Sequence, residues 1–328
     1  MMNRALMKIL VVRNDKLGDF ITALPSLYII KKHLPQSHLA VLIAPLNESV
    51  ALSCDFIDEI IIDEGQKTME LASFLAPKNF DISITLFSNT RVAMAQFFAR
   101  IPKRFAPATK IAQIFYNQRI KQRRSEVKMA EFEYNIELVK AAFPNIDVNY
   151  PQPLLRFDDK ELQKVYDDFK LNTGINKEVI AFHCGFGGSS DANWNVQEYI
   201  ELARTIESEN VDIVFTFGPG DEKFLEEFKS LKGDLKAIIY ESKGSVAEFA
   251  KLIAGFKLFI STSTGTYHIA SAVGTRTMTF FADTLFASAK RWKSIGDEKL
   301  QNNYMIPLEK ELRSRMFKKV KKDIMHLL

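Results

Sequence analysis

Short apolar runs alternate along this chain with segments whose apolar positions recur at helical spacing. The first run, residues 9–12, is unbroken and rich in β-branched side chains, which predicts a strand buried on both faces. A polar turn from Arg13 to Asp19 follows, and Phe20, Ile21, Leu24, Leu27, Tyr28 and Ile30 then predict a helix. Further strands are expected at 39–43, 59–62 and 82–86, with helices at 47–53, 68–75, 91–99 and 131–142. This alternation predicts a parallel sheet with right-handed crossovers. Pro144, Pro151 and Pro153 then mark a linker. The pattern restarts beyond it, with strands at 179–183, 212–217, 236–240, 258–261 and 277–281. Helices fall at 159–171, 196–207, 221–231, 246–253 and 266–273. The expected fold is α/β, with doubly wound parallel-sheet domains over residues 1–152 and 153–328.

Composition narrows the class. The 328 residues suffice for two domains, and 47% hydrophobic content suffices for their cores. A net charge of +4 gives no bulk signal for nucleic acid. Cys54 and Cys184 lie far apart and suggest neither a disulfide framework nor a zinc site, and Cys184 reads as a small buried residue. No long apolar stretch precedes Arg13 and no run approaches membrane-spanning length, so neither a signal peptide nor a spanning segment is expected, and the cytoplasm is the expected compartment. One segment departs from the balanced background. Between residues 100 and 128, Arg100, Lys103, Arg104, Lys110, Arg119, Lys121, Arg123, Arg124 and Lys128 face a single acid, Glu126. Such a run is by default a solvated face; an anionic acceptor or an anionic membrane surface would also be drawn to it, RNA less so.

Candidate chemistry lies where predicted strands end, since ligands of open parallel sheets bind at that edge. Asp19 either aims an ionised carboxylate into the crevice or acts as a helix cap or first-turn acid. Only Gly18 is present there, so the turn lacks the glycine pattern of a dinucleotide site. In the second half, Gly185, Gly187, Gly188, Ser189, Ser190 and Asn193 offer amides and small polar groups suited to a phosphate; the alternative is a flexible turn, with Asn195 capping the next helix. Glu222 can accept hydrogen bonds from a ribose diol or serve as a first-turn acid. Ser263, Thr264, Gly265 and Thr266 join a strand to a helix whose N-terminus suits a diphosphate. His268 can reach the same anion or be structural.

Taken together, these loops resemble glycosyltransferase family 9, the heptosyltransferases that build the lipopolysaccharide inner core. The matching features are Leu17-Gly18-Asp19 with Leu24-Pro25, the glycine-rich turn ending in Trp194, Gly218 followed by Asp221-Glu222, and Thr264-Gly265 with His268, Ala270 and Gly274. The resemblance implies a GT-B fold, two Rossmann-like domains facing a central cleft, with acceptor on the N-terminal domain and donor on the C-terminal one. It implies inverting transfer of heptose from ADP-heptose, a nucleotide-sugar co-substrate, with no metal or other cofactor. Asp19 would be the general base, and Asn14, Lys16, Gly18, Arg119 and Arg123 would meet the acceptor. The implied acceptor is an anionic lipid-linked glycan, with peripheral contact at the cytoplasmic face of the inner membrane and no nucleic-acid partner. Independently, the sequence contains no Asp-x-Asp to hold a divalent cation on a diphosphate.

The chain departs from the family pattern at two positions. Ala192 stands where a lysine is common, and Ser263 where an aspartate is usual; Arg291 or Lys293 is the candidate substitute cation. An enzyme using another nucleotide sugar, and a non-catalytic nucleotide-sugar or glycan-binding protein, are the alternative readings. The last segment, about 308–328, carries Leu312, Met316, Val320 and Ile324 at four-residue spacing and predicts an amphipathic helix. In GT-B folds such a helix crosses back onto the first domain, and its lysines can meet a membrane surface.

Overall fold

A computed structural model describes residues 6–185 and 194–328. The chain forms two compact units, Met1–Pro151 and Gln152–Leu328. In the first, chain order runs β1 (Lys8–Arg13), α1 (Leu17–Ile21), α2 (Leu24–His33), β2 (His38–Ile43), α3 (Glu48–Leu52), β3 (Glu59–Ile62) and α4 (Thr68–Leu75). It continues through β4 (Ile82–Thr85), α5 (Thr90–Phe98), β5 (Lys103–Pro107), β6 (Gln118–Ile120) and α6 (Glu131–Ala142). The strands pair in parallel in the order β3-β2-β1-β4-β5-β6. Strand order reverses between β1 and β4, which opens a crevice beyond their carboxyl ends. Ile9, Leu10 and Val12 are fully buried, as an inner strand covered on both faces requires.

Two features differ from the sequence-based expectation. The helix after the first turn is broken: α1 ends after five residues, and α2 restarts with Pro25 in its first turn, where proline lacks no needed donor. Strands β5 and β6 lie within the basic run. They sit toward the sheet edge and carry exposed polar side chains, so no apolar run announces them.

The second unit follows the same plan. Its elements are α7 (Asp159–Thr173), β7 (Glu178–His183), α8 (Val196–Arg204), β8 (Val211–Phe217), α9 (Glu222–Leu231), β9 (Ile238–Glu241) and α10 (Val246–Ala254). Then come β10 (Leu258–Thr262), α11 (Gly265–Ala272), β11 (Thr277–Ala282), α12 (Ala289–Trp292), β12 (Gln301–Ile306) and α13 (Lys310–Leu327). The parallel sheet has the order β12-β11-β10-β7-β8-β9, with its switch between β7 and β10. The core stacks Phe182 on Phe215 with centroids 5.0 Å apart, and Trp194 lies 4.1 Å from Phe280.

Helix α13 is built into the second unit: Val320 and Ile324 are fully buried in the cluster that contains Trp194, Phe280 and Tyr304. Polar pairs hold the same face, with Arg313 Nη2 2.8 Å from Glu198 and the Tyr304 hydroxyl donating to Asp323 at 2.9 Å. Val320 and Ile324 of its apolar stripe are packed, while Leu312 at its start is 49% exposed. No helix among the described residues is long and apolar enough to cross a membrane.

Candidate active site

At the switch point of the first sheet the last residue of β1, Arg13, is almost fully buried. Its Nη2 donates to Asp19 Oδ1 at 2.5 Å, its Nε lies 2.9 Å from Asp15 Oδ1, and its Nη1 is 3.5 Å from both Glu131 Oε1 and the Leu86 carbonyl. Arg124 pairs with the same Glu131. The Asp19 side chain is 18% exposed, so it is held from below by a guanidinium and reachable from above. Lys16 is the N-cap of α1; Asp19 lies in the first turn of that helix, with its carboxylate on Arg13. The backbone carbonyl of Asp19 accepts from Thr22 Oγ1 at 2.6 Å, which secures the short helix.

Among these carboxyls Asp15 is pushed up to about 7, chiefly by burial, with Arg13 opposing and the like charge of Asp19 adding. For Arg13, burial pulls the proton affinity down, but Asp15, Asp19 and Glu131 outweigh it and the guanidinium is held above its usual value.

In the second unit three strand ends form a cradle. β7 and β10 pair with Ser261 opposite His183, which sets the turn after β10 beside Cys184 and Gly185. Thr264 is the N-cap of α11, in extended conformation, and the first turn of the helix carries no acid. Residues 263–266 are partly exposed, and Thr264 Oγ1 lies 2.8 Å from Thr266 Oγ1. Unshielded amides and hydroxyls at a helix start suit an anion. His268, a turn further on, is buried; its Nδ1 is 3.3 Å from Ser294 Oγ, and burial drives its proton affinity down to about 3. It is therefore neutral at physiological pH and offers a hydrogen bond but no charge.

Beyond β8 and β9 a cavity of about 360 Å³ is lined by Phe217, Gly218, Asp221, Glu222, Glu241 and Lys243, among others. Glu222 sits in the first turn of α9, the structural role expected of it, and also lines this cavity. Amide N–H groups of Glu222 itself and of Gly220 keep its carboxyl below the usual range. Asp221 fixes the loop from beneath. Its Oδ2 accepts from the Gly218 amide at 2.7 Å and lies 3.8 Å from His183 Nε2. A Cβ on Gly185 would fall 2.1 Å from Asp221 Oδ1, so only glycine allows this approach. His183 Nδ1 is 3.0 Å from both oxygens of Thr216, and burial holds the ring's proton affinity down.

The remaining sequence-based candidates are less concentrated. The Asn14 amide donates to Asp63, which is also gripped by Arg91. Lys16 and Gly18 remain at the turn, Lys16 exposed. Arg119 is exposed and donates to the Tyr116 carbonyl at 2.9 Å; Arg123 pairs with Glu126 at 2.9 Å. Lys293 pairs with Glu298 at 2.7 Å, and Arg291 lies against Trp292 with its Cζ 5.0 Å from the ring centroid. Asn195 caps α8, the structural role expected of it, and Asn89 caps α5. Cys184 is buried, with its thiol pushed up to about 12 by desolvation first. Gly187, Gly188, Ser189, Ser190 and Asn193, with Ala192, lie outside the described residues. Sequence reasoning missed Arg13, Asp15, Glu131, His183 and Asp221 as site residues. A buried arginine closing a β-branched strand was the one signal available for the first cluster.

Comparison with known proteins agrees with this geometry. The family model for glycosyltransferase family 9 (heptosyltransferase) matches residues 68–321. A Haemophilus influenzae protein named "Putative glycosyltransferase" is 36% identical over 93% of this chain and 90% of its own length. Lipooligosaccharide heptosyltransferase 2 of Campylobacter jejuni is 22% identical over 88% of this chain and 85% of its own. Among solved structures, Escherichia coli ADP-heptose lipopolysaccharide heptosyltransferase II superposes with a TM-score of 0.81 at 19% identity, covering 98% of both chains. The E. coli heptosyltransferase WaaC with ADP gives a TM-score of 0.73 at 18% identity, covering 98% of this chain and 100% of the other. The chain, with its two doubly wound sheets, belongs to glycosyltransferase family 9 and is a glycosyltransferase.

Proposed function

We propose that this enzyme transfers heptose from ADP-heptose to the core of an anionic, lipid-linked surface glycan, with inversion and without a metal. The observation that carries the reading is the Asp19 carboxylate, partly exposed and oriented by buried Arg13. The acceptor hydroxyl attacks the anomeric carbon as Asp19 takes its proton. The bond from that carbon to the diphosphate oxygen breaks, and the pair of electrons leaves with ADP. The amides opening α11 and the hydroxyls of Ser263, Thr264 and Thr266 face the charge that develops on the leaving group. Neutral His268 is suited to donate a hydrogen bond there. The nucleoside suits the cavity beyond β8 and β9, where Glu222 and Glu241 can accept from ribose hydroxyls. Metal independence draws support from the lack of an Asp-x-Asp in the sequence.

A second reading is favoured by Ser263 and Ala192: the same reaction with another nucleotide sugar. Thermal stabilisation by ADP, UDP and GDP separates the two. ADP is expected to raise the melting temperature most; a response confined to UDP would move the assignment to the second reading. Asp19→Asn is expected to lower kcat by roughly 10²–10⁴ and leave ADP affinity unchanged. Near-normal turnover in that variant would remove Asp19 as the base.

A further inference from the structure

The first unit carries an exposed apolar surface that its own core does not use. The last turn of α5 presents Phe97 and Phe98, 46% and 43% exposed. A 3₁₀ turn over Ile111–Phe115 packs alongside α5 and presents Ile111 and Ile114, 71% and 58% exposed. The rings join the two elements, with Phe97 centroids 5.5 Å from Phe98 and 5.9 Å from Phe115. The turn is firmly seated: Ala112 and Tyr116 are buried with Ala93 and Ala106, and the Ser88 and Tyr116 hydroxyls lie 3.3 Å apart. Its outward isoleucines are thus fixed in place by the side chains that point inward.

The rim of this surface has one sign. Between Phe97 and Lys121 the chain carries Arg100, Lys103, Arg104, Lys110, Arg119 and Lys121 and no acid. All but Arg104 are exposed, and the Arg104 guanidinium lies 5.4 Å from the Phe97 centroid. Lys110 opens the 3₁₀ turn with φ of +57°, a backbone region that a lysine enters at a cost. Its ammonium lies 5.9 Å from the Phe87 ring, and the Arg13 guanidinium lies at the same distance from that ring. The surface therefore starts beside the carboxylate cluster and runs outward along α5.

We propose that this surface seats the enzyme on an anionic lipid bilayer, with Phe97, Phe98, Ile111 and Ile114 entering the interface and the cations meeting headgroups. Aliphatic tips ringed by like charges match a membrane, where apolar depth and surface potential act together. They match nucleic acid poorly, since isoleucine gives a base nothing to stack on. The inference rests on the reading of a lipid-linked acceptor, and it places membrane contact here rather than on α13.

Co-sedimentation of the full chain with vesicles, in the absence of donor and acceptor, tests it. Binding is expected to vesicles containing phosphatidylglycerol and not to pure phosphatidylcholine, and to weaken with salt. Ile111→Ser with Ile114→Ser is expected to weaken binding roughly tenfold or more, as is Lys103→Glu with Lys121→Glu. Unchanged melting temperature and ADP affinity would show that both variants are folded. Wild-type protein that ignores phosphatidylglycerol, or variants that bind as well as wild type, would overturn the proposal. So would concentration-dependent self-association abolished by the isoleucine changes, which would make the surface a contact between copies. Vesicle binding without heptose transfer would instead strike the functional reading and leave the surface intact.

Discussion

Arg13 shows how one buried charge can organise chemistry. It lies among Asp15, Asp19 and Glu131 and fixes Asp19 at the edge of solvent. Because Asp15 is pushed up to about 7, its charge changes in the physiological range. Ionised, Asp15 competes with Asp19 for Arg13; protonated, it does not. Asp15→Asn is therefore expected to remove a step near pH 7 from the pH dependence of kcat, measured with saturating donor. The stability effect has a defined sign. The folded state holds the Asp15 proton more tightly than the unfolded chain, whose carboxyl titrates near 3.8, so stability falls as pH rises from about 4 through 7. Asp15→Asn should thus raise the unfolding free energy more at pH 8 than at pH 4, as urea titrations would read. His268 acts at the other end: the unfolded chain gains its proton near 6.5, the folded chain near 3, so stability is lost as pH falls below 6.5.

Among the elements, α13 and the strands at the sheet edges are the instructive ones. The four-residue spacing in α13 correctly gave an amphipathic helix, but spacing carries no address. Packing decided it: Val320 and Ile324 fill the core beneath Trp194 and Phe280. Ile324→Ala is expected to destabilise the second unit by about 2–5 kcal/mol through lost burial and the cavity left behind. Chemical denaturation followed by the fluorescence of buried Trp194 would report it, and a change below about 0.5 kcal/mol would contradict the docked position. Strand β12 escaped sequence reading because Gln301, Asn302 and Asn303 look like loop residues. In the fold they are bonded: the Tyr267 hydroxyl donates to Gln301 Oε1 at 2.8 Å, and Asn302 donates to the Thr277 carbonyl at 3.0 Å. Polar side chains satisfied by neighbours can occupy an edge strand without apolar alternation.

For the whole molecule, the two units share one strand order, with a carboxylate cluster at the first switch point and, in the second unit, a cavity of about 360 Å³; the proposed function divides the chemistry between them. Nucleotide alone should then act on one unit. Hydrogen exchange with saturating ADP is expected to protect the segments around 217–225, 241–243 and 262–268, and to leave 13–22 unchanged. Protection of the Asp15–Asp19 turn by ADP alone would contradict this division.

The sequence by itself determined the fold class, the inner strands and the positions of the candidate loops at strand ends. Buried parallel strands must be continuous and apolar, and loops that approach anions need glycine and small hydroxyl residues, so both leave local signals. Only tertiary structure decided what those loop residues do. The Asp19 carboxylate is held by Arg13, six residues earlier, and Arg13 is in turn held by Glu131 from a distant helix. Gly185 became indispensable because Asp221, from another strand's end, lies against it. Proton placement, close approach and docking depend on which distant atoms meet, and no local pattern of residue types encodes that.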